Sequence, residues 1–296
     1  MKLARLGSAR LALGVLLLAM GAIAQASDEA IELLAKRTVF GPQLNARAFG
    51  EPLHLVSREK DGHLEGDVYA ELDLPFAGVA AVLSSADSVC AMLFLHLNVR
   101  SCQAGRSGTG PQLVVSAGPK QASAMGSTYN MVYAMQVVSG GADFLGVKLT
   151  APQGPLSTKD YSIVIEATPL DAKRTFLHFG YAYSYGSLAK MAMGIYLASA
   201  GRTKIGFTVV GTGPDGQPQY VQGERGSLER NVMRNYLALK AFASVQTGTP
   251  TAQMEARLRT WFALTERHAA QLHELDLDQY LQEKHADLAR MVAPAR

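Results

Sequence analysis

The stretch Thr175–Tyr185 alternates strictly between two kinds of side chain, and this alternation restricts the possible folds more than any other feature. The bulky set is Leu177, Phe179, Tyr181, Tyr183 and Tyr185, and the mostly small set is Phe176, His178, Gly180, Ala182 and Ser184. A period of two predicts a β-strand. Small residues leave room for another group, so we expect a curved sheet that wraps a helix or a ligand. We expect the small face, with His178, to line a cavity; the alternative is that the tyrosines point inward and fill the core.

The first 26 residues have the pattern of a secretory signal. Lys2, Arg5 and Arg10 precede the apolar run 11–22, and Ala24-Gln25-Ala26 is a small-x-small cleavage site. We therefore expect a periplasmic or secreted protein that is cleaved after Ala26. The alternative is an uncleaved anchor, although the run is shorter than the about 20 residues of a membrane span.

Charge and cysteine content narrow the function classes. The chain has 28 basic and 25 acidic residues, and removal of the three basic residues in the signal leaves the two signs equal. A formally neutral mature chain gives no reason to expect a nucleic-acid partner. In an exported chain Cys90 and Cys102 predict a disulfide, with buried thiols as the alternative. No histidine pair at ligand spacing lies near them, so we predict no metal site, and we predict no cofactor.

The remaining pattern predicts helices at both ends of an antiparallel strand meander. Asp61-Gly62 between two strand-like runs is a hairpin signal. Strands joined by short loops favour an antiparallel sheet over alternating β-α units. The predicted helices are 27–37, 77–86, a piece within 89–97, 188–198, 227–245, 251–273 and 278–292. The predicted strands are 53–57, 64–74, 98–103, 112–116, 129–138, 144–149, 160–168, 175–185, 204–210 and 219–222.

Two segments resemble the START-like, helix-grip superfamily of polyketide cyclases and lipid-transfer proteins. They are the strand Glu65–Leu74, which runs into a Pro75-Phe76 helix, and the amphipathic helix from Ser227. The resemblance spans about residues 50–245. It implies an α+β fold, in which a curved antiparallel sheet grips a long C-terminal helix around an apolar cavity, and it implies a lipid or other hydrophobic ligand.

The resemblance also suggests how the chain is divided. We expect an N-terminal helical segment over 27–49, a START-like domain over 50–246 and an additional C-terminal helical extension over 250–292. The apolar helix 188–198 is a further departure from the simple pattern, and because it is hydrophobic nearly all round, it should be buried or cover an apolar opening.

Candidate ligand-binding residues come from three places. His178, Tyr181 and Tyr183 belong to the alternating strand, where a histidine could meet a polar head and tyrosines could offer hydroxyl groups. The remaining candidates are Met193 of the apolar helix, together with Asn231 and Asn235, which rim the apolar stripe of the long helix. For His178 the alternative is a core histidine with satisfied hydrogen bonds, and for the tyrosines it is packing with one polar tip each.

Two further polar groups have a functional and a structural interpretation. His96 and Asn98 lie on one face of an extended segment. They could orient a ligand or act as an acid–base pair; the alternative is that they form structural hydrogen bonds beside the disulfide. Arg230 and Arg234, one turn apart, could clamp an anion or form ion pairs with acids of the C-terminal helices such as Glu274.

The sequence leaves three hypotheses for function. The first is an exported protein that binds a hydrophobic small molecule or lipid, with transient membrane contact. The second is an enzyme of the same fold that transfers protons through His96, His178 or Tyr183. The third is an envelope interaction protein that docks a partner through residues 251–292. The sequence contains neither Gly-x-Ser-x-Gly nor His-Glu-x-x-His.

Overall fold

The computed structural model describes residues 26–118, 128–139, 141–187, 190–191 and 203–292. The strands are β1 Leu53–Lys60, β2 His63–Leu72, β3 Val99–Ser107, β4 Gly110–Ala117, β5 Tyr129–Ser139, β6 Leu145–Gln153, β7 Lys159–Pro169, β8 Thr175–Ser184, β9 Val209–Thr212 and β10 Pro218–Tyr220. The helices are α1 Asp28–Val39, α2 Gly41–Ala46, α3 Phe76–Leu83, α4 Ala86–Phe94, α5 Gly223–Ser244, α6 Pro250–Glu266, α7 Ala269–Leu272 and α8 Leu277–Val292.

Eight strands form one antiparallel sheet in the order β1-β2-β8-β7-β6-β5-β4-β3. Strand β8, the alternating stretch, lies between β2 and β7, so the N-terminal hairpin joins the end of the meander. Helix α5, which we call the grip helix, packs against β1, β2 and β8 on the concave face, and α3 and α4 cover the same side further along the sheet. The predicted α+β helix-grip fold is confirmed.

Helices cover the concave face of the sheet and part of its convex face. The large apolar core lies between the concave face and helices α3 to α6 and α8. A smaller cluster on the convex face joins Ala30 and Leu33 of α1 and Leu44 of α2 to Tyr69 and Phe176 of the sheet. Residues 66–70 of β2 and 175–180 of β8 are therefore buried on both sides, whereas β5 and β6 keep exposed side chains such as Val132 and Lys148 on the convex face.

The C-terminal helices cover the outer side of the grip helix. Met233 and Leu237 on that side are almost fully buried. Trp261 of α6 packs beside Tyr280 of α8 and donates its indole N–H to the main-chain oxygen of Arg234 at 3.0 Å. The division at residues 246–250 into a domain and an extension stays a prediction, but the two parts share one apolar core.

No single helix in the described part of the chain has the length and apolar composition of a membrane span. Helices α3 and α4 meet that criterion only when they are counted together, and they meet at 94°.

Some predicted elements differ from the observed ones. Gly41 and Pro42 do not simply end α1, since they begin α2, where proline fits the first turn. The strand predicted over 204–210 begins only at Val209, because the main-chain N–H groups of Phe207 and Thr208 donate to the Glu229 carboxylate. The helix predicted over 188–198 lies largely outside the described residues.

Candidate functional site

The grip helix lies directly against the backbone of β2 at Gly66. A Cβ atom at this position would lie 2.9 Å from a methyl group of Val232 and 3.2 Å from one of Leu228. Glycine therefore lets the helix approach the strand backbone directly. Gly66 pairs with Tyr181 of β8, so this contact sets where the helix lies relative to the tyrosines.

Three tyrosines form an aromatic surface on the concave face beside this contact. The rings of Tyr161 and Tyr183 are stacked, with centroids 5.2 Å apart and planes at 10°. The Tyr181 ring meets both of them edge-on, at 6.1 Å from Tyr161 and 5.8 Å from Tyr183. Tyr181 and Tyr183 remain half-buried although they point toward the core side. Here the concave face keeps accessible aromatic surface, which defines our candidate ligand site.

Asn231 of the grip helix adds a polar group to this surface. Its side chain is half-buried and hydrogen-bonds with Tyr181. Burial raises the pKa of Tyr181, and the nearby tyrosines raise it further. Burial also raises the pKa of Tyr183. Both hydroxyl groups therefore stay protonated at physiological pH, so each can donate one hydrogen bond to a ligand's polar group. Aromatic faces with a few hydroxyl and amide groups suit an apolar molecule that has one polar end.

Asn235 lies one turn further along the grip helix and is more enclosed. Its side-chain amide donates to the main-chain oxygen of Asn231 at 2.9 Å, and the residue is buried. Of the two predicted asparagines, only Asn231 is partly accessible beside the tyrosines. Met193 lies outside the described residues.

The orientation expected for β8 is wrong: the tyrosine face looks toward the grip helix, and the small face is convex. His178 is buried on the convex side, stacked on Tyr69 at 4.5 Å. Its Nδ1 lies 2.7 Å from Glu166 and its Nε2 lies 2.8 Å from Asp67. Helix α1 covers this face, which is why a strand with Phe176 and His178 can turn these residues away from the main core.

The two carboxylates determine the protonation of His178. Burial alone would lower the pKa of the imidazole, but the hydrogen bonds to Asp67 and Glu166 outweigh it and raise the pKa. The hydrogen bond from His178 in turn lowers the pKa of Glu166. Because both ring nitrogens are bound to carboxylates, His178 is a structural cation between two strands and is separated by the sheet from Tyr181 and Tyr183.

His96 and Asn98 have structural partners under the C-terminal helices. The His96 Nδ1 accepts the main-chain N–H of Asn98 at 3.1 Å, and the ring lies 6.3 Å from that of Trp261. The Asn98 amide donates to the main-chain oxygen of Gly118 at 3.0 Å, which extends the β3–β4 pairing. The structure therefore does not bring His96, His178 and Tyr183 together as one catalytic set.

Arg234 follows the ion-pair interpretation. Its guanidinium donates to Glu274 at 3.0 Å and to the main-chain oxygen of Leu272 at 3.1 Å. Arg230 donates to the main-chain oxygen of Ile205 at 3.1 Å. Both arginines hold neighbouring segments against the grip helix.

Sequence reasoning missed the role of Glu229. It is fully buried and accepts hydrogen bonds from the hydroxyls of Ser57 and Thr208 and from two main-chain N–H groups. The Arg225 guanidinium, from one turn earlier in the helix, lies 4.0 Å from the Glu229 carboxylate. The position of Glu229 directly after Leu228 of the apolar stripe was the only sequence signal for its burial. Within the described ranges, no group of three or more His, Cys, Asp or Glu side chains could hold a metal ion.

Comparisons with known proteins concern the fold. No protein-family model matches the chain, and no curated protein matches it. Similar solved structures include a STAR-related lipid transfer protein from Xanthomonas axonopodis, which is 14% identical over 49% of this chain and 85% of that one, with a TM-score of 0.35. A START superfamily protein from Mycobacterium smegmatis is 16% identical over 50% of this chain and 92% of that one, with a TM-score of 0.30.

The Zhui aromatase/cyclase from Streptomyces sp. R1128 is 15% identical over 80% of this chain and 96% of its own, with a TM-score of 0.29. The fold is START-like. The strand order and the grip helix on the concave face identify this fold. Likenesses this distant say nothing about a ligand.

Proposed function

We propose that this chain is an exported START-like protein that binds a hydrophobic small molecule or lipid between the sheet and the grip helix. The observation that supports this function is the half-buried surface of Tyr181, Tyr183 and Asn231 on a face that is otherwise core. A packed interior normally buries its aromatic side chains fully. Accessible aromatic surface here suits an apolar ligand, and the tyrosine hydroxyls and the Asn231 amide suit its polar end.

The test is ligand binding by the full mature chain. We expect an organic extract of the purified protein to contain an apolar species by mass spectrometry, and a fluorescent fatty-acid probe to bind in competition with it. Tyr183→Ala should weaken probe binding about tenfold, because loss of one aromatic contact costs roughly 1–1.5 kcal/mol. The matched control is Tyr220→Ala in the β9–β10 hairpin, which should leave the affinity unchanged.

A second pair of variants separates the polar end from the apolar body. Tyr181→Phe and Asn231→Leu keep the volume but remove hydrogen-bonding groups. Both substitutions should weaken the binding of a probe with a polar head and leave the binding of a purely hydrocarbon probe unchanged. An empty extract, together with probe binding that ignores all three substitutions, would contradict the proposal.

Export is part of the same proposal. The signal pattern of residues 1–26 supports it, and so does the Cys90–Cys102 disulfide, since disulfides persist in oxidising compartments. Protein recovered from the periplasm or medium should begin at Ser27 on N-terminal sequencing. Recovery of uncleaved chain from the membrane fraction would favour the anchor instead.

Transient membrane contact follows if the ligand is a bilayer lipid, and its test is transfer of a fluorescent lipid between vesicles.

An envelope partner that docks on residues 251–292 has less support, because Trp261, Leu264 and Tyr280 of these helices already pack on the core. An enzymatic role for His96, His178 or Tyr183 has no convergent site to support it.

A further inference from the structure

A second cleft lies near the C-terminal end of the grip helix, away from the tyrosines. Its walls come from the loop Arg47–Glu51, from Lys240 of the grip helix, and from Arg267 and His268 after α6. Lys240 lies nine residues beyond Asn231, which is about 14 Å along a helix axis. The cleft has a volume of about 590 Å³, which exceeds what a single inorganic ion needs.

The floor of the cleft is an internally neutralised ion pair. The Lys240 ammonium binds the Glu51 carboxylate, and the Tyr236 hydroxyl donates to the same carboxylate at 3.1 Å. These contacts fix Glu51, so its charge is already matched by Lys240. The remaining charged groups that line the cleft are Arg47, Arg267 and Asp73.

Arg47 and Arg267 make the cleft electropositive. Both are exposed, and in the described part of the chain neither guanidinium has an ion-pair or hydrogen-bond partner. Asp73 offsets only one of these two charges. Two guanidinium groups at one opening can bind a single anion bidentately, which is the geometry that favours arginine over lysine for phosphate.

The backbone at Arg47 supports a specific role for this side chain. Arg47 ends α2 in the left-handed region, at φ 49° and ψ 40°. Glycine or asparagine occupies this conformation at lower cost, yet an arginine is found at the rim of the cleft. The strained backbone of the α2 C-cap therefore places the Arg47 cation at the opening of the cleft.

One wall of the cleft is apolar and aromatic. Phe49 is half-buried, and its ring lies edge-on to those of Phe207, at 5.8 Å, and His268, at 6.3 Å. Burial lowers the pKa of His268, so the neutral ring adds no charge at neutral pH but keeps one N–H donor. The cleft thus combines cations at the rim with an aromatic wall.

We propose that this cleft binds the phosphate group of a phosphorylated organic molecule, with Arg47 and Arg267 as the two clamps and Phe49 against the organic part. A free phosphate monoester and a lipid headgroup present the same phosphate chemistry, and the same two arginines serve both. This site is separate from the proposed hydrophobic site, so Tyr183→Ala should leave phosphate binding unchanged.

The test uses phenyl phosphate as the probe, in titration calorimetry with the full mature chain. Arg47→Gln and Arg267→Gln should each weaken binding about tenfold, since a hydrogen bond to a charged group is worth that much. Both residues are exposed, so thermal melts should be unchanged. The matched control is Arg106→Gln, an exposed arginine on β3, which should bind like the parent.

Further probes separate the ligand classes. Benzoate should bind more weakly than phenyl phosphate; equal binding would overturn the phosphate assignment. Vesicles of phosphatidylcholine with phosphatidylglycerol, compared with phosphatidylcholine alone, test the headgroup source, and binding that both glutamine variants abolish would support it. No binding of phenyl phosphate or of either vesicle, or an equal loss in Arg106→Gln, would overturn the proposal.

Discussion

The ammonium group of Lys284 lies 2.6 Å from the main-chain oxygen of Phe94, although the two residues are 190 positions apart. The same ammonium donates to the main-chain oxygens of His96 at 2.8 Å and Val99 at 2.7 Å. Burial lowers the pKa of Lys284 to about 7, while Asp287 favours the charged form. One buried lysine of α8 therefore satisfies three carbonyl groups at the turn between α4 and β3.

We expect Lys284→Met to destabilise the protein by about 2–4 kcal/mol. Methionine fits the volume and removes a costly buried charge, but it leaves three buried carbonyl oxygens without this donor. Urea unfolding followed by tryptophan fluorescence measures the loss, since Trp261 lies in the same interface. Lys148→Met on the exposed side of β6 is the control and should change stability by less than about 0.5 kcal/mol. Equal stability of the two variants would mean that α8 docks without Lys284.

The disulfide closes the same turn. Cys90 and Cys102 are 12 residues apart, and the loop between them holds the three carbonyls that Lys284 binds. The Tyr280 hydroxyl adds a fourth hydrogen bond to this loop, at the main-chain oxygen of Leu95 at 2.8 Å. The docking surface of α8 is thus the loop that the disulfide constrains.

We expect the Cys90→Ala/Cys102→Ala variant to lose roughly 2–3 kcal/mol of stability, as loss of a short-loop disulfide costs on chain-entropy grounds. Because the loop binds α8, amide hydrogen exchange should increase in residues 277–292 as well as in residues 90–102. Exchange in β7, at the middle of the sheet, serves as the internal control. If exchange increases only around the cysteines, the loop and α8 are not coupled.

The alternation of residues 175–185 predicted a strand, but not which face of it points inward. Both faces contain phenylalanine because helices cover both sides of the sheet at the start of β8, so hydrophobicity alone could not separate them. The register offered a better signal. His178 pairs with Tyr69 and Glu166, and Asp67 shares their face on β2. Residues paired in register share a face, so the acids flanking this histidine could have identified the convex side.

The site residues that the sequence missed depend on contacts far apart in the chain. Glu229 is bound by groups of β1 and of the segment before β9, and Lys284 by a turn some 190 positions away. A lysine or glutamate on a helix is usually exposed, and only the folded chain shows which ones are enclosed. The long amphipathic helix and the disulfide were local signals, so they could be predicted.

His178 should make stability depend on pH. Its folded-state pKa is raised above 6.5, so its contribution is fully present below pH 6.5 and is lost as pH rises through the folded-state value. The free energy of unfolding of His178→Gln should therefore lie below the parent's at pH 6, and the gap should shrink toward pH 9. The measured quantity is the difference in unfolding free energy between the parent and His178→Gln, because Lys284 is present in both. With its lowered pKa, Lys284 makes stability rise with pH above about pH 7, which is opposite to the effect of His178.

Glu166→Gln is the second arm of that measurement. It removes one of the two carboxylates that raise the pKa of His178, so the loss of stability with rising pH should occur at lower pH than in the parent. A gap between parent and His178→Gln that stays constant from pH 6 to 9 would mean that His178 does not gain its proton affinity from folding.

Two glycine-to-alanine substitutions should have opposite effects, because only one glycine faces a packed surface. At Gly66 an added Cβ would lie 2.9 Å from Val232 and must displace the grip helix or β2, which we expect to cost about 1–3 kcal/mol. At Gly78 in α3 nothing lies within 4 Å of the added atom, so alanine should stabilise by up to about 1 kcal/mol through helix propensity. Urea unfolding of both variants gives the signs. Because Gly66 pairs with Tyr181, Gly66→Ala should also change probe binding at the tyrosine surface, whereas Gly78→Ala should not. An unchanged stability in Gly66→Ala would show that the helix is held away from β2 and that the candidate ligand site is wider than the close contact at Val232 implies.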